Sequence, residues 1–154
     1  MEIKVTSSAF KEGETIPSRY TCDGVNVSPQ ISWQTDIKGI KTFALISDDP
    51  DAPVGEWVHW IVFNIPPDIR ELREDIKANR NLPDGILMGT NDFHTISYGG
   101  PCPPSGTHRY FFKVYALDIV IHLKAGATKK ELLDAMKGHI LAQGQLVGLY
   151  KRQR

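Results

Sequence analysis

The stretch Val58-His59-Trp60-Ile61-Val62-Phe63-Asn64-Ile65 decides the fold class. It is rich in β-branched and aromatic side chains and is closed by Pro66-Pro67, so it reads as a strand. Its apolar run is nearly continuous, which predicts a central strand covered on both faces. Outward from it, Thr42-Phe43-Ala44-Leu45-Ile46-Ser47 and Tyr110-Phe111-Phe112-Lys113-Val114-Tyr115-Ala116-Leu117 carry the same signature. Ile3 and Val5 alternate with polar residues, and Gln145-Leu146-Val147-Gly148-Leu149-Tyr150 reads as a last strand.

Proline and glycine punctuate the gaps. Asp49-Pro50-Asp51-Ala52-Pro53 and Pro101-Cys102-Pro103-Pro104-Ser105-Gly106 read as rigid loops, because proline cannot donate to a sheet ladder. Asp68-Ile69-Arg70-Glu71 has capping-box spacing and predicts a short helical turn. The clearest helix follows Thr128-Lys129-Lys130-Glu131, a second capping box. Leu132, Leu133, Met136 and Ile140 recur behind it at helical spacing, which predicts a helix over 128–141 with Gly144 as the stop. One helix among many strands gives a mainly β chain, an antiparallel sheet or sandwich with peripheral helices.

Bulk properties narrow the function. The chain has 154 residues, a length that favours one domain over 1–154. Lys plus Arg and Asp plus Glu both number 18, so no general attraction to nucleic acid or anionic membrane is expected. The basic end Lys151-Arg152-Gln153-Arg154 reads as a solvated tail. No apolar run approaches the roughly 20 residues of a membrane span. The N-terminus lacks a signal-peptide layout, so a cytoplasmic location is expected. Two cysteines, Cys22 and Cys102, are too few for a disulfide scaffold or a structural zinc site.

Polar groups that could work together lie in two segments, 49–60 and 99–110. The first holds Asp49, Asp51, Trp57 and His59; the second holds Gly99, Gly100, His108, Arg109 and Tyr110. Strand alternation points His108 and Tyr110 one way and Arg109 the other. By the same rule His59 shares a face with Ile61, opposite Trp60 and Val62. Taken singly, each residue has a structural reading: a hydrogen-bonded histidine, an Asx turn, an ion pair at Arg109, a core tyrosine. Together, two rigid proline-rich loops with polar side chains at the mouths of apolar strands are the makings of a binding site.

These motifs resemble the phosphatidylethanolamine-binding protein family, also called Raf kinase inhibitor-like proteins. The resemblance lies in Asp49-Pro50-Asp51-Ala52-Pro53, in Trp57-Val58-His59-Trp60, and in Gly99-Gly100-Pro101-Cys102-Pro103-Pro104-Ser105-Gly106-Thr107-His108-Arg109-Tyr110. Tyr20-Thr21-Cys22-Asp23-Gly24-Val25-Asn26-Val27-Ser28-Pro29 and His139-Ile140-Leu141-Ala142-Gln143-Gly144 are similar to its prokaryotic branch. The resemblance implies an antiparallel β-sandwich with a small cavity for phosphate-like anions or the headgroup of phosphatidylethanolamine. The walls it implies are Asp49, Asp51, Pro53, Trp57, His59, Gly100, Pro101, His108 and Tyr110. It also implies that Cys22 and Cys102 lie close enough for a disulfide, and that the chain is a homodimer.

On that resemblance the expected function is non-enzymatic binding, with a kinase or other phosphorylated protein as partner. Donors to the anion are expected from His59, His108, the Tyr110 hydroxyl and the amides around Gly99-Gly100. Asp49 or Asp51 is expected either to orient an imidazole or to face the ammonium of a zwitterion such as phosphoethanolamine. The alternative is a serine protease inhibitor acting through a surface loop at 79–91. A hydrolase is the weaker reading, because Cys102 sits between prolines, Ser105 lacks an assigned base, and no Cys/His cluster has metal-ligand spacing. No catalytic residue, cofactor or metal ligand is expected.

Overall fold

The computed structural model describes residues 3–78 and 80–153. Met1 and Glu2 of the first alternating run, Asn79 of the 79–91 loop and Arg154 of the basic tail lie outside them. The strands are β1 (Lys4–Thr6), β2 (Ile31–Gln34), β3 (Thr42–Ala52), β4 (Gly55–Ile65), β5 (Glu71–Leu72), β6 (Leu87–Met88), β7 (His108–Leu117) and β8 (Ile140–Tyr150). The helix α1 spans Lys129–Met136, and Ser18–Tyr20 form a single 3-10 turn. A three-stranded sheet has the order β1-β2-β5, and a five-stranded sheet has the order β6-β4-β3-β7-β8; every named pairing is antiparallel.

The continuous apolar runs have a direct cause. One face of the larger sheet, with Phe43, Leu45, Trp60, Val62, Phe112 and Val114, packs on Val5, Ile31 and Trp33 of the smaller sheet. The other face, with Ala44, Ile46, Ile61 and Phe63, packs on Leu132 and Met136 of α1. Strands β3 and β4 are thus buried on both sides, and their side chains are apolar on both sides.

Several boundaries differ from the sequence expectation. Asp49–Ala52 continue β3 rather than forming a loop. Pro50 is tolerated there because the β3–β7 register ends at Asp48↔Phe111 and the β3–β4 register shifts between Asp49 and Ala52. The helix stops at Met136, since Gly138 takes φ +83°, a left-handed turn that ends helices readily. Ile140 therefore opens β8, and Gly144 lies inside that strand, where a Cβ would strike the Ile3 carbonyl. Residues 68–71 form no helix: Ile69 N donates to Pro66 O at 3.1 Å, and Glu71 enters β5 opposite Ser32. The capping box at α1 forms as read, with Glu131 N to Thr128 Oγ1 at 3.2 Å and Thr128 N to Glu131 Oε1 at 2.9 Å.

Candidate functional site

The site begins with the alternation of β3. Asp48 points to the α1 side, where Lys129 Nζ and Lys113 Nζ donate to its Oδ2 at 2.8 and 3.2 Å. Asp49 points the opposite way, and its side chain is 4% exposed. Its Oδ2 accepts from His108 Nδ1 at 2.7 Å, and its Oδ1 accepts from Asp51 N at 2.7 Å. A carboxylate can only accept here, so His108 carries its proton on Nδ1 and leaves Nε2 free of that task.

His59 reaches the same place through a β-bulge. Ser47 pairs with Trp60 and Asp48 with Val58, so one step on β3 spans two on β4 and His59 is the extra residue. Strict alternation fails there: Ile61 packs toward α1, whereas the His59 ring meets the Tyr110 ring edge-on at 5.2 Å. His59 Nδ1 donates to Gly99 O at 2.6 Å, and Gly99 N donates back to His59 O at 3.0 Å. Burial pushes the His59 imidazole below its ordinary pKa.

Along β7 the alternation holds. His108 and Tyr110 share a side with ring centroids 6.4 Å apart, and Arg109 turns away. Tyr110 is 1% exposed, and its hydroxyl has no hydrogen-bond partner among the described residues. Burial first, and then the charge of Asp49, push its phenol pKa up, so it stays an O–H donor at neutral pH.

These four residues are the polar floor of a cavity of about 230 Å³. Its walls are Ala52, Pro53 and Val54 at the β3–β4 turn, Trp57, Phe93, and Cys102, Pro103 and Pro104 of the loop before β7. Asp49, Pro53, Trp57, His59, His108 and Tyr110 of the sequence-derived set thus come together, whereas Asp51, Gly100 and Pro101 are not among the lining residues. Asp51 instead accepts from Arg109 Nε at 2.9 Å, Nη2 at 2.8 Å and the Arg109 amide at 2.9 Å. The guanidinium holds the Asp51 carboxyl down at about 2. Gly100 N donates to Asn26 Oδ1 at 2.9 Å, and Pro101 O accepts from Cys22 N at 3.1 Å. The amides of Gly99 and Gly100 are therefore already engaged within the protein, contrary to the expectation that they serve as donors to a ligand.

A disulfide joins Cys22 to Cys102 with Cα atoms 5.4 Å apart. It ties the Pro-rich wall to residues 21–26, which also hold the Gly100 amide. Phe93 was not read as a site residue. It stands edge-on to Trp57 at 5.5 Å and to His59 at 5.4 Å. Buried Asn91 holds its loop: Oδ1 accepts from Phe93 N and Thr95 N at 2.9 and 3.1 Å, and Nδ2 donates to Ser97 O at 2.7 Å. A lone aromatic in a polar stretch was the one signal, and nothing local in sequence ties that stretch to β4. Of the 79–91 segment, Ile86, Met88 and Asn91 are buried, and Leu87–Met88 pair with β4. No group of three or more His, Cys, Asp or Glu is placed to hold a metal ion among the described residues. No helix among them is long and apolar enough to cross a membrane.

The family model described as phosphatidylethanolamine-binding protein matches residues 6–151. A UPF0098 protein of Methanothermobacter thermautotrophicus is 52% identical over 97% of this chain and 99% of its own length. A UPF0098 protein of Aquifex aeolicus is 50% identical over 97% of this chain and 89% of its own. A solved homologue of phosphatidylethanolamine-binding protein from Chlamydia trachomatis superposes with a TM-score of 0.90 at 39% identity, covering 99% of both chains. YbcL of E. coli, described as a new member of the mammalian family, gives 0.92 at 33% identity over 99% of this chain and 100% of its own.

Proposed function

The chain belongs to the phosphatidylethanolamine-binding protein family, and from that premise we propose that it is a non-enzymatic binding protein whose cavity holds a phosphate-like group, free or as a phosphoethanolamine-type headgroup. The observation that carries this reading is the buried Tyr110 hydroxyl, which makes no close hydrogen bond among the described residues and feels only the Asp49 carboxylate, on a ring that stands against two imidazoles whose Nδ1 atoms are anchored elsewhere. A buried donor left unsatisfied costs on the order of 1–3 kcal/mol, which a ligand oxygen recovers. The apolar walls lower the local dielectric and strengthen each polar contact made on the floor.

Asp49 orients His108 and keeps acceptor capacity for an ammonium group. Asp51 is paired with Arg109 and takes no part in this reading. The group held is presented by a phosphorylated protein partner or a lipid headgroup, and the chain acts as a homodimer; sedimentation velocity checks the latter. Cys102 is in a disulfide and offers no thiolate nucleophile, in keeping with binding rather than turnover.

Thermal unfolding with phosphoethanolamine tests the reading. Ligand at about 100 times its dissociation constant adds ~2.7 kcal/mol of stability, which raises the melting temperature by several degrees. The shift should be lost in His108→Ala and reduced in Tyr110→Phe. No shift in the wild-type protein at millimolar ligand would count decisively against it.

A further inference from the structure

The cavity is short of donors for an anion. Its polar floor has four side chains: Asp49, His59, His108 and Tyr110. Asp49 is an acceptor. Both Nδ1 atoms are committed, His59 to Gly99 O and His108 to Asp49 Oδ2. A neutral imidazole with its proton on Nδ1 presents only a lone pair at Nε2. The Gly99 and Gly100 amides are used by His59 O and Asn26 Oδ1.

Four of the surrounding cations are also committed. Arg109 is held by Asp51, Lys113 and Lys129 by Asp48 on the other face of the sheet, and Arg152 by Asp23 at 2.9 Å. A bare oxyanion entering this cavity therefore meets one carboxylate and two lone pairs, and the side-chain donors among its lining residues are the Tyr110 hydroxyl on the floor and the Trp57 indole N–H on the wall. Burying an anion so weakly matched costs several kcal/mol.

One proton removes the mismatch. Resting on the phosphate-binding reading above, we infer that the cavity takes up its oxyanion together with one proton, held between His108 Nε2 and a ligand oxygen. The ligand class is then the phosphomonoester monoanion, or its dianion plus a proton from solvent. His108 is the ring placed to share that proton with the ligand, because its Nδ1 is anchored on the Asp49 carboxylate at 2.7 Å and its Nε2 is left for the ligand. His59 is the poorer holder. Its partner is a neutral carbonyl, it is 3% exposed, and the rings of Phe93 and Tyr110 stand against it. The charges that act on His59 are those of Asp49, Asp48 and Asp92. His108 faces Asp49 and the Tyr110 ring, with Tyr150 opposite it on β8 and the charge of Asp51 close enough to act on it.

Calorimetric titration with methyl phosphate tests the inference. Measured at pH 8 in two buffers of different ionisation enthalpy, the wild-type protein should take up about one proton per ligand bound. At pH 5.5, where a phosphomonoester with its second pKa near 6 already carries the proton, uptake should fall toward zero. Between pH 6.5 and 8 the affinity should drop about tenfold per unit. His108→Gln, which keeps a polar group without a titratable nitrogen, should flatten that slope and abolish the uptake. Binding at pH 8 with no proton uptake and an affinity equal to that at pH 6 would overturn the inference while leaving the phosphate site standing. Uptake that persists in His108→Gln would overturn the assignment to that ring. No binding of methyl phosphate between pH 5.5 and 8 would remove both the inference and the reading beneath it.

Discussion

Asp49 and Asp51 lie two residues apart in one motif and have opposite tasks. Asp49, 4% exposed, orients an imidazole, whereas Asp51, 30% exposed, receives a two-pronged guanidinium from Arg109. The pair makes a prediction in acid. A carboxyl held at about 2, below its ordinary value of 3.8, contributes stability that is complete above the unfolded value and is lost as pH falls through the folded one. Asp51→Asn should therefore cost under ~1 kcal/mol of stability at pH 7, since the pair is partly exposed. It should also make the loss of stability between pH 4 and pH 2 shallower than in the wild-type protein. An acid melting series on both proteins reads this directly. Parity on β7 was enough to separate Arg109 from His108 and Tyr110 in the sequence. The two aspartates were not separable there, because residues i and i+2 of a strand share a face until an irregularity such as that between Asp49 and Ala52 intervenes.

At the scale of elements, β4 is the instructive case. Its identity as a buried strand was legible from β-branched and aromatic content. The bulge at His59 was not, because a bulge is set by the register of two strands distant in sequence. That extra residue turns an imidazole from the α1 side into the cavity. The helix end shows the same division: the Thr128–Glu131 capping box was readable, whereas Ile140 fits a helical stripe and a strand equally well, and Gly138 decided between them. Two measurements belong here. Thr128→Ala removes the N-cap hydroxyl and should cost ~1 kcal/mol of unfolding free energy in urea, with the cavity unaffected. Gly100→Ala drives a Cβ into the Tyr20 carbonyl and Asn26 Oδ1, so it should destabilise by about 1–3 kcal/mol and also weaken phosphoethanolamine binding by disturbing the loop.

For the whole molecule, the cavity is where the β3–β4 turn, the 91–99 loop and the Pro-rich loop meet at one end of the larger sheet. Family resemblance carried the expectation that 49–60 and 99–110 converge, since neither segment alone specifies the other. The disulfide closes a loop of 80 residues between the cavity wall and the segment that anchors Gly100. By the chain-entropy account such a crosslink contributes about 4–5 kcal/mol, mostly by restricting the unfolded chain. Adding reductant should lower the urea midpoint accordingly, and an Ellman assay on the native, unreduced protein should find no free thiol. Two reactive thiols with an unchanged midpoint would remove the crosslink from this account.

The central claim is that one oxyanion sits on the floor formed by His59, His108 and Tyr110. A crystal structure of the protein grown with phosphoethanolamine tests it most directly. The account predicts phosphate density within hydrogen-bonding reach of Tyr110 Oη and of His108 Nε2, with the ligand lying between Trp57, Phe93 and the Pro-rich wall. Phosphate bound at Arg109 or at the Lys113–Lys129 face instead, with only solvent in the cavity, would contradict it.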